Sequence, residues 1–96
     1  MPREFRPFPH EAVRDLIGIC RAMWACEQDV TRKTELADIG KALRSATELS
    51  SKAPSESLGA KAALRRAEEA TDRLCAVVAG DVLKLVHATA GRVRRR

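Results

Sequence analysis

The sequence predicts an all-α protein: an antiparallel helical bundle of three to four helices, in a single domain, that oligomerises. Two observations predict the helices. Apolar residues recur at three- and four-residue steps along most of the chain, the period of an amphipathic helix, and no alternating strand pattern is visible. A third predicts the association. The chain has 96 residues, no tyrosine, and aromatic residues only at Phe5, Phe8 and Trp24. Its core must come from Leu, Val, Ile and many alanines. Alanine buries little apolar area per residue, so a lone copy of this length yields little stabilisation.

Residues 1–8, with Pro2, Pro7 and two phenylalanines, read as an extended arm. Pro9 suits the first turn of a helix, where its missing N–H costs nothing. Phe8 is placed to pack back on Val13 as a hydrophobic staple. The first helix then runs to about Gln28, with Val13, Leu16, Ile17, Cys20, Met23 and Trp24 on one stripe. Gly18 weakens it slightly.

Residues 27–35 interrupt the stripe. Only Val30 is apolar there, and three residues are β-branched. A break is expected, with Thr34 as N-cap; with no Pro or Gly in the segment, a continuous helix is also allowed. The second helix runs from about Glu35 to Ser51 on Leu36, Ile39, Leu43, Ala46 and Leu49. Residues 50–55 form the clearest turn, and Pro54 or Ser55 opens the next helix.

The third stretch carries Leu58, Leu64, Ala67, Ala70, Leu74 and Val77, then Val82, Leu85, Val86, Thr89 and Val93 beyond Gly80. Unbroken, it would be ~58 Å long, about twice either neighbour. Val82, Leu85 and Val86 would then lack a packing partner within the chain. Three arrangements resolve this. The chain breaks near Gly80 and folds back as a fourth helix; the long helix pairs with a second copy; or segment 27–35 stays helical and two long arms bury their stripe by association. Val82, Leu85 and Val86, with Trp24, are the expected oligomer or partner interface. Trp24 also reads as an anchor of the core, beside Met23.

The formal net charge is +5, and four of the last five residues are arginine (Arg92, Arg94, Arg95, Arg96), so the basic excess is local. With Arg3 and Arg6 these are the candidate contacts to nucleic acid or an acidic protein. Each phosphate neutralised releases counterion without reading sequence. The bland alternative is a solvated helix end whose cations offset the helix dipole. In size and basic helical character the chain resembles the four-helix-bundle accessory proteins of bacterial retroelement reverse transcriptases. The resemblance is one of architecture and implies no site residue.

Other chemistry finds little footing. Too few aromatics are present for base-stacking platforms, and no short glycine-containing turn precedes a polar recognition helix. Cys20 and Cys26 are six apart, which places them on different helix faces, and Cys75 and His87 are twelve apart. Metal pairs want closer spacing. The cysteines read as reduced thiols filling the core. His10 and His87 have no evident catalytic partners, although Asp72 and Asp81 lie near His87 in sequence. Phosphate-loop and nucleophile-elbow motifs are absent. No catalytic residue, metal, cofactor or small-molecule substrate is expected. No apolar run reaches the ~18 residues of a membrane span, and no signal-peptide pattern opens the chain. The expected setting is the cytoplasm, without membrane contact.

Overall fold

The computed structural model describes residues 7–54 and 57–94, with side chains as far as Gly91. The described residues form three helices and no strand: α1 (His10–Cys26), α2 (Val30–Lys52) and α3 (Leu58–Arg94). The extended arm is mostly outside the described residues, as is Ser55.

The helix ends follow from local chemistry. The α1 helix opens just after Pro9, whose carbonyl accepts from the Val13 amide at 3.0 Å. Phe8 packs on the edge of the core that contains Val13, as a staple would. The break after α1 is real but shorter than expected, covering only Glu27–Asp29. Asp29 is the N-cap of α2, its carboxylate accepting from the Thr31 amide at 3.3 Å. The expected cap, Thr34, instead lies one full turn inside α2, where its hydroxyl donates to the Val30 carbonyl at 2.9 Å. Ser57, rather than Pro54, stands at the start of α3, where its hydroxyl accepts from the Ala60 amide at 3.1 Å.

Gly80 does not break the chain. The α3 helix runs 37 residues without interruption, ~56 Å at 1.5 Å per residue. A glycine costs a helix only about 1 kcal/mol relative to alanine. Without a proline or a cap to divert the backbone, that is too little to stop it. A fourth helix folding back from Gly80 is therefore ruled out, and the non-helical 27–29 segment rules out a hairpin of two long arms.

The core lies where α2 meets its neighbours. Leu36, Ile39, Leu43 and Ala46 of α2 are fully buried against Val13 and Cys20 of α1 and Ala67, Ala70 and Leu74 of α3. Gly40 sits at the α1–α2 crossing, where an added Cβ would lie 3.8 Å from Cys20 Cβ. Three pairings set the register of α2 on α3: Arg32 with Asp81, Ser45 with Arg66, and, at the connecting turn, Ala53 with Gly59. The start of α2 therefore lies level with Asp81, well past the middle of α3, and its end level with the start of α3. Beyond residue 82, α3 has outrun α2. Residues 82–94 project about 20 Å past the Arg32–Asp81 contact.

Candidate interaction surface

The projecting part of α3 is apolar on one side. Val82, Leu85 and Val86 are 54%, 67% and 54% exposed, and Leu83 and Val78 are also exposed. A four-residue step links Val78 to Val82 and Val82 to Val86, with Leu85 between, so these groups share one stripe. Asp81, Lys84 and His87, also on three-residue steps, occupy another side. Helix formation alone makes this surface amphipathic; among the described residues it stays exposed.

An ion-pair cluster marks the level where the core ends. Arg32, near the start of α2, grips Asp81 with two nitrogens: Nη1 to Oδ1 at 2.6 Å and Nη2 to Oδ2 at 2.7 Å. Its Nε lies 2.6 Å from Glu27 Oε1, in the α1–α2 connection. Glu27 also accepts from the Gln28 amide at 3.1 Å through Oε2. The hydrogen bonds from Arg32, and then its charge, hold the Asp81 carboxyl below its ordinary value, with Lys84 adding to the effect. Hydrogen bonding to Asp81 raises Arg32 in turn. The cluster ties the α1–α2 connection to α3 and fixes where the projection begins.

The expected site residues are only partly brought together. Val82, Leu85 and Val86 share the projecting stripe. Trp24, at the far end of α1, is 42% exposed and stacks under Lys33, whose Nζ is 4.2 Å from the ring centroid. It is not the core anchor; the aliphatic groups of α2 do that work. Arg92 and Arg94 lie on the last turn of the α3 backbone. Arg3, Arg6, Arg95 and Arg96 lie outside the described residues.

The cysteines divide. Cys20 is buried, and burial pushes its thiol upward despite the opposing charge of Arg44. Cys26 and Cys75 are exposed, contrary to the expectation that all three fill the core. Among the described residues, no three His, Cys, Asp or Glu side chains cluster as metal ligands. Leu58, expected on the core stripe, is 84% exposed.

Two features were not anticipated. A groove of about 340 Å³ runs between α1 and α3, lined by Pro9, Ala12, Leu16, Leu64, Thr71 and, as its charged members, Glu68 and Asp72. Its α3 side lies on the same line of the helix as Cys75, Val78 and Val82. The sequence shows that periodicity, but the groove needs α1 to settle beside it. In addition, α3 contains an 18-residue stretch apolar and weakly charged enough to cross a membrane by length and composition. Only 6% of this stretch is buried inside the protein. The Arg32–Asp81 contact limits its reach. The free projection is about 20 Å, short of the ~30 Å hydrocarbon core of a bilayer. No family model matches the chain, and comparison with curated proteins and with solved structures found no match.

Proposed function

We propose that this is a small non-enzymatic accessory protein of the cytoplasm: an antiparallel helical bundle that oligomerises through α3 and docks on nucleic acid or a nucleoprotein complex through its basic end. One observation carries the reading. The exposed stripe of Val82, Leu85 and Val86 runs directly into the arginine-rich end of the same helix. A surface that gains by leaving water is thus joined rigidly to one that gains by meeting phosphate. Arg3 and Arg6 add to the positive charge of the chain.

The test is a salt titration of binding to generic RNA and DNA, with the full chain and with residues 92–96 deleted. A steep fall of affinity with salt, lost on deletion, is expected. Absence of binding at ~50 mM salt would refute the nucleic-acid part.

A second reading has its own observation. Trp24 and Ile19 on α1 are exposed, and tryptophan concentrates at protein-binding hot spots. On this reading the chain is a helical adaptor, inhibitor or scaffold that holds a partner protein on Trp24 and the α3 stripe, with arginines speeding encounter. Trp24→Ala would abolish partner capture on this reading and leave nucleic-acid binding untouched on the first.

A further inference from the structure

We infer that a second copy of this chain covers the α3 stripe, with the two α3 helices running antiparallel and Arg92 of each meeting the acidic α1–α3 groove of the other copy. The inference rests on the association proposed above and specifies its geometry. It begins from a repeat. Leu64, Glu68, Thr71, Cys75, Val78, Val82, Leu85, Thr89 and Arg92 follow alternating steps of four and three residues along α3. Such a seam is what a partner helix reads as knobs into holes. Its middle, from Cys75 to Thr89, is uncharged and exposed. Upstream it leads into the groove beside α1. Downstream it ends at arginine.

The direction of the second helix follows from the ends. A parallel pair in register places Arg92 against Arg92, with Arg94 of each copy one half-turn further on. It uses only the short exposed middle and leaves the groove empty. An antiparallel pair with Val82 facing the partner copy's Val78 matches Cys75 with Leu85, Thr71 with Thr89, and Glu68 with Arg92. The overlap then spans residues 68–92, about 37 Å of helix. Of the residues lining the groove, only Glu68 and Asp72 are charged, and both are acidic. Opposite charges meet at each end of the seam instead of like ones. The β-branched Val82 beside Leu85 also suits a parallel pair. That preference concerns two central layers, whereas the parallel arrangement gathers Arg92 and Arg94 of both copies. Two-fold symmetry closes the antiparallel pair, leaving no seam open for further growth.

Thiol pairing reads the geometry directly. With Cys26→Ser removing the other exposed thiol, Cys75 alone should give no covalent dimer on mild oxidation, because it faces Leu85. Adding Leu85→Cys should give a covalent dimer, and Cys75→Ser in that variant should abolish it. Light scattering of the unmodified chain should show a dimer. Arg92→Glu should weaken it about fivefold, and Glu68→Arg in the same chain should recover the loss. Covalent dimers through Cys75 alone, or a dimer strengthened by Arg92→Glu, would overturn the antiparallel arrangement and leave association standing. A chain that remains a monomer at tens of micromolar, or that leaves solution only for lipid vesicles, would overturn both.

Discussion

At the scale of single residues, burial separates side chains that look alike in sequence. Leu43 and Leu58 both sit on apolar stripes, yet Leu43 is fully buried and Leu58 is 84% exposed. Leu43→Ala should cost about 2–5 kcal/mol in urea unfolding. Leu58→Ala should fall within about 0.5 kcal/mol of the parent. Equal losses would show that the start of α3 is covered. Asp81 gives a pH signature. Arg32 holds its carboxyl below the ordinary 3.8, so the folded state binds fewer protons than the unfolded one near that pH. The contribution is complete above 3.8 and disappears as pH falls through the lower folded value. The stability gap between the parent and Asp81→Asn should be constant near neutrality and close below 3.8. A gap that widens on acidification would contradict the paired geometry.

At the scale of elements, α3 is the decisive one. Its continuity through Gly80 gives the three packed helices a projection. An added Cβ at Gly80 meets nothing within 4 Å, and the position is helical. Gly80→Ala should therefore stabilise the protein by about 0.5–1 kcal/mol, read as a higher urea midpoint. A bend at Gly80 would make the same change destabilising. The start of α2 carries a similar lesson. The β-branched Val30 and Thr31 argue for a loop by propensity, but the Asp29 cap and the grip of Arg32 on Asp81 hold that turn in the helix. Asp29→Ala should lower stability by about 1 kcal/mol.

For the whole molecule, the projection sets size and shape. The radius of gyration is 17.2 Å and the longest extent 60 Å, against ~12 Å expected for a compact chain of this length. Small-angle scattering reads this quantity. A dimer paired along α3 should be longer than 60 Å, because the two cores extend from opposite ends of the shared seam. A scattering curve fitted by a compact ~12 Å particle would mean that the projection folds back. Charge acts at the same scale. In the proposed antiparallel pair the basic ends would lie apart, so a long polyanion would engage both and gain from bivalency. Deleting residues 92–96 should therefore weaken binding to a long RNA more than to a short one.

What the sequence determined by itself was the periodic part. The helical class, the buried faces of α1 and α2, and the turn near Pro54 follow from spacing and turn chemistry, which act over a few residues. The apolar stripe at Val82, Leu85 and Val86 and the local basic charge were legible for the same reason. The tertiary structure decided the rest: which alanines close the core, that Trp24 and two cysteines stay outside it, that Asp81 meets Arg32, and that a groove lies beside the α3 seam. These depend on where one helix lands on another. A glycine is a weak local signal, so the fate of Gly80 was set by the absence of anything to turn the helix there. The stripe beyond it is exposed because α2 runs out of length to cover it.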